Sequence, residues 1–121
     1  MQHTITLNPN GNIEITFVGA YSFDDAKIMA EKLVTLVIQA MDTKDRVGIL
    51  INCTDATDIE PLAAELSKKV DADIEGNKVA LFGANENVAR IIGEAIATAH
   101  LEKTYKLCAT RVEAEAWLAQ E

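Results

Sequence analysis

An α/β domain with a mixed, mostly parallel five-stranded sheet, opened by an N-terminal hairpin and carrying four helices, is the fold class this sequence predicts. Three observations carry that expectation. Two alternating apolar runs flank a dense turn near the N-terminus. Later apolar runs are short and nearly continuous, as in strands covered on both faces. Amphipathic stretches separate those strands and give the order ββαβαβαβα, in which parallel neighbours are joined by right-handed crossovers. With 121 residues, the chain fits a single domain spanning 1–121. It contains no internal repeat, low-complexity stretch or linker.

The hairpin comes first. Ile5 and Leu7 alternate with Thr4 and Thr6 over His3 to Leu7, and Ile13, Ile15 and Phe17 alternate over Ile13 to Val18. Between them, Asn8-Pro9-Asn10-Gly11-Asn12 is a turn signal. Gly19 is expected to end the second strand. Ser22 and Asp25 then form a capping box with a short acid, opening a helix from about Phe23 to Met41. Ala26, Met29, Ala30, Leu33, Val34, Val37, Ala40 and Met41 share one side of it at helical spacing. Leu36 and Ile38 are the margins that widen this arc to about half the circumference, at ~100° per residue. Ile28 falls outside it. So broad an arc exceeds what one sheet contact needs, and the final helix with Trp117 is one candidate cover.

Val47 to Cys53 reads as a central strand and Thr54 to Asp58 as a loop. Pro61 suits the first turn of a helix whose buried stripe is Leu62, Ala63, Leu66 and Val70. A polar loop, Asp71 to Asn77, leads to a strand over Lys78 to Phe82. The turn Gly83-Ala84-Asn85 precedes a helix from about Glu86, with Val88, Ile91, Ile92, Ala95, Ile96 and Ala99 on its apolar face. Tyr105 to Cys108 is the last strand. Thr110 and Glu113 cap a short final helix reaching Leu118.

Charge and cysteine content narrow the function classes. A net charge of -8 repels phosphate backbones and anionic membrane surfaces, and Lys68-Lys69 with Lys103 and Lys106 do not make a basic stripe. Nucleic-acid binding and membrane insertion are therefore not expected. The start Met1-Gln2-His3-Thr4 lacks the features of a secretion signal. Cys53 and Cys108 form neither a disulfide framework nor a metal knuckle, so a cytoplasmic setting is expected.

The second half carries a family resemblance. Lys78-Val79-Ala80-Leu81-Phe82-Gly83 resembles a strand and glycine turn of the STAS domains, the fold of the anti-sigma-factor antagonists, and of their SpoIIAA-like branch in particular. Asn87-Val88-Ala89-Arg90-Ile91-Ile92 resembles the helix start that follows, and Glu113-Ala114-Glu115-Ala116-Trp117-Leu118 the final helix. The resemblance implies a switch loop after the third strand, with an aspartate followed by a phosphorylatable serine and then a glycine. Here Asp58 matches the aspartate, but Ile59 follows it and no glycine comes after. The phosphoacceptor is missing; Thr54 and Thr57 are the remaining hydroxyls of that loop. The branch is also associated with non-polar ligands.

The expected function is a non-catalytic binding module without catalytic, cofactor or metal residues. It acts on a protein partner, a second copy in a homodimer included, or on a small non-polar ligand. An anti-sigma-type regulator and a lipid-like ligand carrier are alternatives implied by the resemblance. The candidate contact residues are Ile28, Leu36, Ile38, Thr57, Asp58 and Trp117. A small enzyme pairing Cys53 with His100 is a further alternative, because a Cys–His pair needs only hydrogen-bond reach and an orienting group. Against it, free cysteines on strands are mostly small buried hydrophobes, and His100 near a helix end complements the dipole. Asp55, Asp58 and Glu60, with Asp24 and Asp25 if they lie close, would suit a hard cation, but the spacing matches no metal loop pattern and Asp58 and Glu60 suit a helix start, which favours solvated capping carboxylates.

Overall fold

The computed structural model describes residues 3–9, 11–41, 48–60, 78–98 and 104–120. Among them run β1 (Thr4–Leu7), β2 (Ile13–Tyr21), α1 (Phe23–Met41), β3 (Gly48–Ile59), β4 (Lys78–Phe82), α2 (Glu86–Thr98), β5 (Tyr105–Cys108) and α3 (Arg111–Ala119). The helix expected from Pro61 to Val70, the loop Asp71 to Asn77, Val47, Lys68, Lys69, Ala99, His100 and Lys103 lie outside the described residues. The fold class is as expected: a mixed five-stranded α/β sheet ordered β1-β2-β3-β4-β5. The hairpin pairs antiparallel and the three later pairings are parallel.

Stepping one way across the sheet by right-handed crossovers sends successive helices to the same face, and α1 and α2 do share one. There Ile13, Ile15, Phe17, Ile49, Ile51, Cys53, Val79 and Leu81 pack against Ala26, Met29, Leu33, Val37, Val88 and Ile92. The alternate residues Leu50, Ala80 and Phe82 point to the opposite face and pack on Ala114, with Trp117 and Leu118 beside them. Helix α3 therefore covers the back of β3 and β4. The final helix with Trp117, one candidate cover for α1, thus lies on the other face of the sheet. Trp117 instead helps seat α3, lying under the Lys78 ammonium at 5.0 Å while that Nζ donates to the Gln120 carbonyl at 2.6 Å.

Both central strands run past their expected ends. β2 does not stop at Gly19 but continues to Tyr21, and β3 absorbs the expected loop Thr54 to Asp58. The cause lies in their register. Thr16 pairs with Asn52 and Val18 with Asp55, then Gly19 pairs with Ala56 and Ala20 with Asp58. In each interval β3 advances one residue more than β2, which is a β-bulge. Burial along β3 accordingly falls on Ile51, Cys53, Ala56 and Ile59, with steps of two, three and three residues. Gly19 sits at the second bulge with φ +74°, a conformation that glycine adopts without strain.

The helix starts follow local chemistry. The Asp25 N–H donates to Ser22 Oγ at 3.1 Å and the Ser22 N–H to Asp25 Oδ2 at 3.2 Å, the expected capping box. Thr110 Oγ1 accepts from the Glu113 N–H at 3.3 Å and opens α3. Among the described residues no helix is long and apolar enough to cross a membrane.

Candidate functional site

Two surfaces gather the residues singled out above, and they meet at the N-terminus of α1. The first is the carboxyl edge of the sheet, where ligands of open α/β folds commonly bind. The extended end of β3 holds Thr54, Asp55, Thr57, Asp58 and Glu60 at the surface while Ala56 and Ile59 stay buried. The start of α2 fastens this segment. Asn85 caps the helix through Oδ1, which accepts from the Val88 N–H at 2.9 Å. Its Nδ2 donates to the Ala56 and Thr57 carbonyls at 3.2 and 3.3 Å. Asp58 Oδ1 accepts from the Ile59 N–H at 2.9 Å and from Asn87 Nδ2 at 2.8 Å. Asn87 Oδ1 in turn accepts from Arg90 at 2.9 Å. On the other flank Glu60 Oε2 accepts from the Phe23 N–H at 3.1 Å, joining the end of β3 to the first turn of α1. The result is a fixed, hydrogen-bonded rim that offers acceptors outward.

The second surface is the outside of α1. Ala26, Met29, Leu33, Val37 and Ala40 face the sheet. Leu36, expected at one margin, is half-buried against that core. Ile38, expected at the other, is 63% exposed; Ile28 is 45% and Val34 43% exposed. Val34 was expected among the buried residues. At ~100° per residue it lies within about 40° of Ile38 and on the far side from Leu36, so it belongs to the outer ridge. The six candidate residues thus divide three ways. Ile28 and Ile38 are exposed on the outer face of α1, Thr57 and Asp58 lie on the rim of β3, while Leu36 and Trp117 serve packing on opposite faces of the sheet.

Nucleophile chemistry finds little purchase here. Cys53 is fully buried, and desolvation pushes its thiol up to about 12, the opposite of an activated thiolate. Cys108 is half-buried and raised as well, chiefly by desolvation, with Lys106 pulling it down and Glu113 pushing it up. His100, the partner expected for Cys53, lies outside the described residues. Asp25 is engaged by Ser22 and by His3, and among the described residues no three His, Cys, Asp or Glu side chains converge as metal ligands.

Sequence reasoning missed three residues. Asn85 carried a legible signal, an Asn three residues before the first apolar position of a helix. Asn87 did not, because its contact with Asp58 spans 29 residues. His3 reads in the sequence only as the start of the first alternating run, yet it is 6% exposed and hydrogen-bonded on both ring nitrogens.

No protein-family model matches the chain, and no curated protein does. Solved structures do. The anti-sigma factor antagonist SpoIIAA in its unphosphorylated form superposes with a TM-score of 0.66 at 15% identity, over 95% of this chain and 94% of that one. An uncharacterised DUF3478-family protein with a SpoIIAA-like fold from Shewanella loihica PV-4 superposes with a TM-score of 0.63 at 18% identity, over 97% and 92%. The fold is STAS/SpoIIAA-like.

Proposed function

We propose that this protein is a non-catalytic binding module that takes a protein partner on the outer face of α1 and works without a phosphorylation switch. The exposed aliphatic side chains of Ile28, Val34 and Ile38 on the outer face of α1 carry the reading. α1 meets its structural obligation through Ala26, Met29, Leu33, Val37 and Ala40, so the outer side chains are surplus to the fold. At ~100° per residue Val34 and Ile38 lie side by side and Ile28 lies on the other flank, with Lys27 and Glu31 exposed between them; exposed aliphatic side chains interleaved with charges suit a protein contact. One of the similar structures is an anti-sigma factor antagonist, and a regulatory contact of that kind is one form the proposed binding takes.

The absence of a switch rests on Ile59. It occupies the position that the family resemblance assigns to the phosphorylated serine, has no hydroxyl, and is 4% exposed. A non-polar ligand carrier would turn its apolar excess inward around an enclosed cavity, whereas this ridge turns outward, which favours the protein partner.

Ile28→Glu and Ile38→Glu test the reading. Each is expected to leave the circular dichroism spectrum unchanged, since substitutions at such exposed positions stay within about ±0.5 kcal/mol. Each should abolish association, because a charge is tolerated in water and not in an apolar contact. Sedimentation reads association with a second copy, and native mass spectrometry reads bound lipid. Release of a lipid by Ile38→Glu would favour the carrier instead, and unfolding would return both residues to the core.

A further inference from the structure

His3 is the buried polar residue among those described, and neither the partner surface nor the sheet edge makes use of it. It immediately precedes β1, a four-residue edge strand with one neighbour. The Val18 N–H donates to His3 Nδ1 at 3.0 Å. Nδ1 is thus an acceptor, the ring proton sits on Nε2, and Nε2–H donates to Asp25 Oδ2 at 3.0 Å. Val18 is the first paired residue beyond the first β2–β3 bulge, and Asp25 lies in the first turn of α1. The ring also stands edge-on to Tyr21 at 5.0 Å and to Phe17 at 5.7 Å between centroids. One imidazole therefore joins the start of β1, the bulged part of β2 and the capping box of α1.

We infer that His3 is a proton-operated latch: the neutral ring with its proton on Nε2 locks the edge strand in place, and a second proton on Nδ1 releases it. The release follows from donor arithmetic. A cationic imidazole has two donors and no acceptor, so a proton on Nδ1 would point at the Val18 N–H. Rotating the ring does not help, since it presents an N–H either way. Water has little access to the ring in place: it stands against Phe17 and Tyr21 and its side chain is 3% exposed. The ring must move out, and the adjoining strand is the part of the sheet with least to hold it.

The charges around the ring are few. From α1 comes Asp25: burial pushes its carboxyl up, but the Ser22 N–H, the His3 ring and the Ser22 hydroxyl together hold it below its ordinary value. It remains a carboxylate across the interval in which histidines change charge. It accepts from Nε2–H in either state, so a charged ring gains Coulomb attraction from it but no new hydrogen bond, and the Val18 N–H still faces a second donor. From β2 the titratable neighbour is the Tyr21 phenol, uncharged in that interval. Asp24 and Lys27 on the same turn pair with each other at the surface, 3.7 Å apart.

Hydrogen exchange on the whole chain tests the latch independently of any partner. After correction for the intrinsic rate, protection of the Val18 and β1 amides should fall at least tenfold between about pH 7.5 and about pH 5. Amides of β3 and β4 should keep theirs. His3→Gln cannot titrate but can accept from Val18 and donate to Asp25, and should show no such loss. The ring nitrogen shifts of the unaltered protein give a second readout. They should report a proton on Nε2 and none on Nδ1 at about pH 7.5, as the Val18 N–H contact requires. Protection that is equal at both pH values, a pH-dependent loss that persists in His3→Gln, or a proton found on Nδ1 at the higher pH would overturn the inference.

Discussion

At Gly83 the backbone turns with φ +76°, and a Cβ built there would stand 2.6 Å from Thr54 Oγ1 and 3.2 Å from the Thr54 backbone. The hydroxyl could rotate away, but the backbone contact and the dihedral would remain. Gly83→Ala is therefore expected to cost about 1–3 kcal/mol, read as a lower urea midpoint, and Thr54→Ala should not restore it. Cys53 should resist a polar thiol reagent in the native protein and react on unfolding, as its burial and raised thiol require; rapid native labelling would revive a nucleophilic role. Glu14 is a carboxylate held below its ordinary value, foremost by hydrogen bonds from Arg111, against desolvation, with Asn8 assisting. Its contribution is complete above the unfolded glutamate range, about 4.3, and is lost as pH falls through the lower folded value. Arg111→Gln should flatten that acid limb in urea titrations between about pH 7 and about pH 3. The loss at neutral pH should be no more than about 1 kcal/mol, because Arg111 is half exposed and screened.

The elements show where local pattern reading succeeds and where it fails. α1, α2 and α3 were legible because capping residues and 3.6-residue spacing are both local signals. The extension of β3 was not. Two bulges replace the alternation of Asn52 to Ile59 with a step of three residues, so a period-two reading takes Thr54 to Asp58 for a loop. Val34 was misplaced for another reason: an aliphatic residue near the edge of a broad arc reads as core until the facing layer is known, and α3 lies on the other face of the sheet. Inner and outer faces of α1 should respond in opposite ways. Leu33→Ala should cost about 2–4 kcal/mol and Val37→Ala somewhat less, whereas Val34→Ala should stay within about 0.5 kcal/mol. Chemical denaturation of the three variants gives the comparison directly.

At the scale of the whole molecule, five strands in simple order leave one face with α1 and α2 and the other with α3. This arrangement brings the rim of β3 beside the first turn of α1 through Glu60 and Phe23. The sequence exposed the missing hydroxyl at Ile59 plainly; that the side chain also points into the core depends on the bulges, which no local pattern announced. An anti-sigma-type kinase should accordingly leave the protein unmodified, since phosphoryl transfer needs an aligned nucleophile. Stoichiometric phosphate on Thr57 would mean that the switch has moved rather than vanished. The proposed partner-binding face is tested most directly by photo-crosslinking in the cells that make the protein. A photoreactive side chain replaces Ile38 on the ridge or, as a control, Thr6 on the opposite side of the sheet. The account predicts one discrete protein adduct from position 38, with its mass telling a second copy from another protein. That adduct should disappear when Ile28→Glu is added, and none should form from position 6. No adduct at 38, the same adduct at both positions, or a lipid adduct at 38 would contradict it.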